Sequence, residues 1–292
     1  MVFKHTTPQR GIAHQYSFKL QAFELERNKS GENAIIFIGG LGDGLLTVPY
    51  IINLNEKLND EWSIFQILTS SSYIGWGTGS LDRDVKEINQ LVKYLKETLG
   101  KKKIVLLGHS TGTQDSIHYS LSLFKDNIDG IILQAPVSDR EAIKQLLGDQ
   151  VYDEYNKEAQ LIFDKYSGDE LLPKKFSDKF LGAPINAYRW LSLSLEGGDD
   201  DYFSSDLSDE KLDETFGKLS KPLLVLYSGN DEFVPKSIDK QAILNRWEGF
   251  VKSDVWSKYS SLIPDASHNV ANNPDSSVEF LIERVNKYLF DL

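Results

Sequence analysis

Apolar residues in this chain gather into short unbroken runs that alternate with longer stretches where they recur every three or four positions. Ala34-Ile35-Ile36-Phe37-Ile38, Ser63 to Leu68, Ile104-Val105-Leu106-Leu107, Ile128 to Leu133 and Pro222 to Tyr227 are runs of the first kind. Such runs predict strands buried on both faces, as in a parallel sheet. Residues 15–26 carry β-rich patterning that predicts opening antiparallel strands, and Val255 to Leu262 predicts one more strand. Between the runs lie helical stripes. Val85, Ile88, Val92, Leu95 and Leu99 share one face, with Gly100 closing the helix. Thr111 to Phe124 predicts a second helix. Val278, Leu281, Ile282, Val285 and Leu289 predict a last one, entered through Asn273-Pro274-Asp275. Strand and helix alternate, so the expected class is α/β, with a mostly parallel sheet covered on both faces.

One interval breaks that alternation. From Asp139 to about Leu219 the pattern is helical or loop-like, with no sheet strand. The expected division is therefore a core of residues 1–138 and 220–292 and an inserted lid of residues 139–219, above the carboxyl ends of the strands.

Gly108-His109-Ser110-Thr111-Gly112 sits where an apolar run meets a helix start. A Gly-x-Ser-x-Gly at that junction is the pattern of a nucleophile elbow, which holds a serine in a strained turn with its hydroxyl clear of the sheet. The glycines are needed where strand and helix crowd together. A serine hydroxyl is a poor nucleophile without an adjacent base, and the base needs an acid to orient it. Those partners are expected later, acid first, each after its own strand. Asp231 follows the run ending at Tyr227, within Asp231-Glu232-Phe233-Val234-Pro235. His268 lies in the loop before the last helix and is one of only five histidines. Glu232 is the rival acid. The alternatives to chemistry are an ordinary helix N-cap for Ser110, a plain turn aspartate for Asp231 and an exposed loop histidine for His268.

Charge that develops on an acyl intermediate needs fixed donors. The backbone N–H of Thr111, directly after the serine, is one expected donor. The other is assigned to Leu41 in Gly39-Gly40-Leu41-Gly42-Asp43-Gly44, the glycine-dense loop after the first buried strand. Gly40, Asp43, His109 and Trp76 are the expected substrate-facing residues. Tyr73, Trp190 and Tyr188 are further aromatic candidates, each with the core as its alternative place. The same glycine loop matches neither the dinucleotide fingerprint nor the phosphate-binding loop motif, and neither does Gly75 to Gly79.

Composition narrows the partners. The chain has 292 residues, a net charge of −11 and no cysteine. It offers no basic face for nucleic acid, no disulfide and no thiolate chemistry. No run is long enough to span a bilayer and the start lacks a signal-peptide pattern, so the expected location is cytoplasmic. No histidine pair has metal-binding spacing, and no cofactor is called for. His118 is expected to be structural, and His5 and His14 uninvolved. The acidic run Asp199 to Asp206 reads as a solvated loop capping a following helix. Its sharper alternatives are an acidic rim for cationic ligands and a site for a hard cation.

Along nearly its whole length the chain resembles an α/β-hydrolase. Gly39 to Leu45, Ser71 to Gly77, Ser80 to Val85, Gly108 to Asp115, Ala135 to Glu141 and Asp199 to Leu207 resemble in particular a mainly fungal α/β-hydrolase family. That family includes siderophore esterases, which cleave ester bonds of fusarinine-type hydroxamates inside the cell. The resemblance implies Ser110, His268 and Asp231 as a triad, cofactor-free ester hydrolysis and a small-molecule ester as partner, with a siderophore as the candidate substrate. An acyltransferase or thioesterase using the same triad, or a non-catalytic ligand-binding scaffold, remain the alternatives. Nothing in the chain sets an oligomeric state.

Overall fold

The computed structural model describes residues 8–271 and 275–292. Eight strands form one sheet: β1 (Gly11–Ser17), β2 (Leu20–Leu25), β3 (Asn33–Ile38), β4 (Trp62–Leu68), β5 (Ile104–His109), β6 (Gly130–Gln134), β7 (Leu223–Ser228) and β8 (Ser261–Ile263). Their spatial order is β1-β2-β4-β3-β5-β6-β7-β8. The first two pairings, β1 with β2 and β2 with β4, are antiparallel, and the rest are parallel.

Alternate residues of the central strands feed two cores, one on each face. Ile36, Ile38, Leu106, Leu133 and Val225 pack with α2 (Leu81–Glu97), α3 (Gly112–Leu121) and α9 (Lys240–Phe250). Ile35, Phe37, Val105, Leu107 and Leu224 pack with α1 (Tyr50–Lys57) and α10 (Asp275–Asp291). Two-sided burial is why these strands read as continuous apolar runs rather than alternating ones. The helix-covered, mostly parallel sheet is the α/β class that the sequence predicts.

The differences have local causes. The strand expected at 255–262 is shorter and later. Trp256 makes only an isolated bridge to Leu223. A turn closed by Ser260 N–H on the Ser257 carbonyl then intervenes before pairing resumes at Ser261. The helix expected to reach Phe124 stops at Leu121, where the Ser122 hydroxyl donates to the Tyr119 carbonyl and accepts from Phe124 N–H. The apolar pattern does not announce α1 or α9. The first has only eight residues. The second buries only Leu244 and Trp247, and begins where the Asp239 carboxylate caps Gln241 and Ala242. The Asn273-Pro274 entry to the last helix lies outside the described residues, as does His5.

Between β6 and β7 the chain runs through α4 (Asp139–Leu147), α5 (Asp149–Lys165), α6 (Lys174–Lys179), α7 (Ala187–Ser194) and α8 (Asp209–Glu214) and contributes no strand to the sheet. Ile143, Tyr155, Phe176 and Trp190 of these helices form a third, separate core. No helix among the described residues is long and apolar enough to cross a membrane.

Candidate active site

Ser110 occupies the turn between β5 and α3 with φ of 52°, a left-handed conformation that costs a non-glycine residue energy. Its neighbours explain how the turn is made. A side chain at Gly108 would put a Cβ 2.1 Å from the Gly112 carbonyl oxygen, and one at Gly112 would lie 2.2 Å from that of Ile38. Both contacts are far below any tolerated separation. Strand, serine and helix meet this closely only because both positions lack a side chain. Gly40 is subject to the same limit, since a Cβ there would stand 2.6 Å from Ser110 Cβ. The glycine loop after β3 thus lies directly against the serine.

His268 is held at three points. Its Nδ1 is 2.8 Å from Asp231 Oδ2. Its backbone N–H donates to Glu232 Oε2 at 2.8 Å. Its carbonyl accepts from Gln134 Nε2 at 3.2 Å and from the Ser228 hydroxyl at 3.3 Å. Asp231 is itself fixed, its Oδ1 accepting from Phe233 N–H at 3.0 Å. A carboxylate only accepts, so Nδ1 carries the proton and Nε2 presents a lone pair. The Asp231 and His268 loops are also joined through Asn230 N–H on the Ala266 carbonyl, at 2.8 Å.

The two residues expected to supply the donors, Leu41 and Thr111, line the same cavity as the serine. Thr111 starts α3, so developing negative charge there meets the positive end of the helix dipole. Among the described residues neither the Leu41 N–H nor the Thr111 N–H has an intramolecular acceptor. Asp43 holds the loop that carries Leu41. Its Oδ2 accepts from Gly40 N–H at 2.9 Å and its Oδ1 from the Thr47 hydroxyl at 2.8 Å. Its own carbonyl accepts from Tyr73 N–H at 2.8 Å.

One cavity of about 480 Å³ brings these groups together, with Leu41, Asp43, His109, Ser110, Thr111 and His268 all on its wall. No hydrogen bond joins the Ser110 hydroxyl to the His268 ring in this conformation; both open onto the same space. Residues of α4 and the end of α6 close the far side, including Ala142, Leu146 and Lys179, with Phe180 and Leu181 just beyond. His109 is buried, with its ring centroid 5.1 Å from that of His268. Gln134 uses its amide nitrogen on the His268 carbonyl, so its oxygen must accept from His109 Nδ1, 2.5 Å away. Burial, followed by the neighbouring His268, pushes the His109 pKa down to about 4. The ring therefore stays neutral beside the serine.

The remaining expectations differ in outcome. Trp76 does not line this cavity but a smaller one that shares Leu41, Asp43 and Thr111 with it and also holds Gly40. It is 2% exposed and packs edge-on to Phe180 in the core of the inserted helices, because that separate core needs a large apolar side chain from the β4–α2 loop. The acidic run is solvated only at its ends, Asp199 and Asp206, while Asp200 to Ser204 are buried. Asp200 pairs with the buried Arg189 at 2.6 Å, and Asp201 with Arg140 at 3.2 Å. The following helix α8 takes its cap from Ser208 instead. His14 is absent from the cavity wall, as expected, and bridges Glu24 and Tyr94. His118 is structural as expected, between Tyr202 and Asp82. Glu232 and Gln134 are the site residues that sequence reasoning missed, one seen only as a rival acid and the other not at all.

Comparison with known proteins gives this geometry a family. The model of "Protein of unknown function (DUF1749)" matches residues 1–290. The chain belongs to this family. It is 36% identical to "Fusarinine C esterase sidJ" of Aspergillus fumigatus, an alignment that covers 96% of this chain and 95% of the relative. It is 34% identical to "Esterase AN6793" of Emericella nidulans, covering 98% and 93%. Among solved structures it is similar to "Siderophore hydrolase EstB from Aspergillus fumigatus", with a TM-score of 0.85, 36% identity and 99% of each chain covered. More distant matches, such as "Est1E from Butyrivibrio proteoclasticus" at 18% identity and a TM-score of 0.62, share the fold. The fold is that of the α/β-hydrolases.

Proposed function

We propose that this chain is a serine carboxylester hydrolase of siderophore-type esters, with Ser110 as nucleophile, His268 as general base and Asp231 as the acid that orients it. The observation that carries the reading is the single cavity onto which a left-handed Ser110 and the Asp231-held His268 both open. The esterase names of the relatives, and the siderophore named for two of them, support the reaction class and the substrate.

In this mechanism His268 Nε2 removes the Ser110 proton as Oγ attacks the ester carbonyl. The oxyanion is received by the N–H groups of Leu41 and Thr111. His268 then gives its proton to the departing alcohol, leaving an acyl-enzyme, and water enters by the same steps in reverse. Asp231 keeps the proton on Nδ1 and favours the charged imidazole as it forms. Gly40 lets the donor loop approach the serine, and neutral His109 fills the wall beside it. The helices of residues 139–219 act as the lid over the acyl pocket. The reaction is proposed for the cytoplasm, after the intracellular esterases that the sequence resembles.

The test is a set of esters: a short p-nitrophenyl ester together with ferric and iron-free fusarinine-type compounds, with products separated chromatographically. Alcohol and acid release from the fusarinine-type esters supports the reading. Turnover of the p-nitrophenyl ester alone contradicts the substrate, and no turnover of any ester contradicts the reaction.

A further inference from the structure

The ionisable side chains on the cavity wall differ in what they have left to offer. Asp43 uses both carboxylate oxygens on the donor loop. Glu232 holds the His268 backbone through Oε2 and is exposed to solvent, unlike the buried Asp139. Asp139, the first residue of α4, stands apart. It lines the cavity at 9% exposure, and its Oδ2 accepts from Gln114 Nε2 at 2.7 Å. Besides Gln114, only the Thr111 hydroxyl acts on this carboxylate as a hydrogen-bond donor among the described residues. Gln114 is locked in that orientation, because the same nitrogen donates to the Val137 carbonyl at 3.2 Å and its oxygen accepts from the Thr113 hydroxyl at 2.9 Å.

Asp139 is thus positioned by neutral donors, and among the described residues no cation forms an ion pair with it. Arg189, whose guanidinium acts on it, is committed to Asp200 at 2.6 Å. Lys179 shares the cavity wall without forming an ion pair with it. Burial, and after it the charge of Asp200, pushes the Asp139 pKa up to about 7, against the opposing pull of Arg189, His268 and the Thr111 hydroxyl. A buried carboxylate short of a positive partner is costly in an empty site and is relieved when a ligand brings one. Thr111, which acts on Asp139, directly follows the serine, so such a ligand charge would sit near the reacting carbonyl.

We propose that Asp139 is a specificity residue of the ester pocket: its carboxylate, which keeps acceptor capacity beyond Gln114 and Thr111, binds a protonated amine carried by the substrate, so the preferred esters are cationic. This deepens the ester-hydrolase reading and rests on it. It also predicts which member of an otherwise identical pair of esters is chosen.

The test compares 4-nitrophenyl 6-aminohexanoate with 4-nitrophenyl heptanoate, in which a methyl group replaces the ammonium group. The expected result is a kcat/KM at least about tenfold higher for the amino ester with the wild-type chain, falling to a ratio of about one in Asp139→Asn. Asp153→Asn, on the exposed side of α5, keeps the wild-type ratio, which separates a local anchor from attraction by the overall negative charge. Equal turnover of the two esters by the wild-type chain overturns the proposal. So does a preference that survives in Asp139→Asn. If neither ester is hydrolysed, the hydrolase reading fails by itself, and calorimetric binding of N-butyl 6-aminohexanamide against N-butyl heptanamide decides the anchor. Tighter binding of the amine that is lost in Asp139→Asn supports it, and equal binding overturns it. Should Asp139→Asn fail to fold, Asp139→Ser is read by the same criteria.

Discussion

His268 Nδ1 and Asp231 Oδ2 lie 2.8 Å apart, and the second oxygen of Asp231 is held by the N–H of Phe233. The carboxylate therefore has one orientation, and it dictates one tautomer of the ring. Asp231→Asn offers an N–H where the ring needs an acceptor. It is expected to lower kcat about a thousandfold or more while the fold persists, as read from ester turnover and from circular dichroism. Loss of less than about tenfold would show that another acid orients the ring.

Glu232 acts on the same histidine through its backbone, not its ring. Glu232→Ala frees the His268 N–H and is expected to reduce kcat roughly tenfold with KM little changed. Glu232→Gln retains a carbonyl oxygen that still accepts that N–H, and should recover most of the loss. Equal damage from both variants would instead assign Glu232 a role through its charge.

Asp43 acts one step from the oxyanion, as the clasp on the loop that presents Leu41. Asp43→Ala is expected to reduce kcat by about ten- to a hundredfold, the scale of a disturbed oxyanion donor, with a smaller effect on KM. Steady-state kinetics on a single p-nitrophenyl ester checks this. An increase in KM alone would mean that Asp43 binds substrate and does not shape the donor loop.

Asp139 carries a stability consequence with a definite sign. Its pKa is raised to about 7 in the folded chain, above the ordinary carboxylate value it has when unfolded. Between roughly pH 4 and pH 7 the folded state thus holds a proton that the unfolded state has lost, so this group's contribution falls as pH rises across that window. Asp139→Asn removes the dependence. Its Tm should exceed that of the wild-type chain at pH 8, by about 2–4 °C per kcal/mol relieved, and the gap should close at pH 4. A gap that is the same at both pH values would contradict the account. A residue that costs stability while lining the cavity is what a binding role would entail.

Much of the site was readable from the sequence because sterics and chain order constrain it. Only glycine fits at Gly108 and Gly112, since a side chain at either would strike the Gly112 or Ile38 carbonyl. Asp231 and His268 follow Ser110 in the chain order that α/β-hydrolases use for the acid and the base. The strands were readable because burial on both faces removes polar residues from them. What escaped notice depends on contacts between segments far apart in the chain. Gln134 reaches the His268 carbonyl across 134 residues, and no local pattern marks it. Asp200 and Asp201 look like surface residues by composition, yet Arg189 and Arg140 draw them inward. Trp76 sits in a glycine-rich loop that suggests a pocket, and it both lines a small cavity with Gly40 and Asp43 and packs in the core of the helices between β6 and β7. By sequence Asp139 marks only a helix start after β6; its place on the cavity wall is visible only in the fold.

The central claim is that Ser110 is a nucleophile activated by His268. Its most direct measurement is covalent labelling by a fluorophosphonate probe, with the modified peptide identified by mass spectrometry. The expected result is a single adduct on Ser110, absent in Ser110→Ala and slowed by about a hundredfold or more in His268→Ala. A folded wild-type chain that leaves Ser110 unmodified, or that labels equally well without His268, would contradict it.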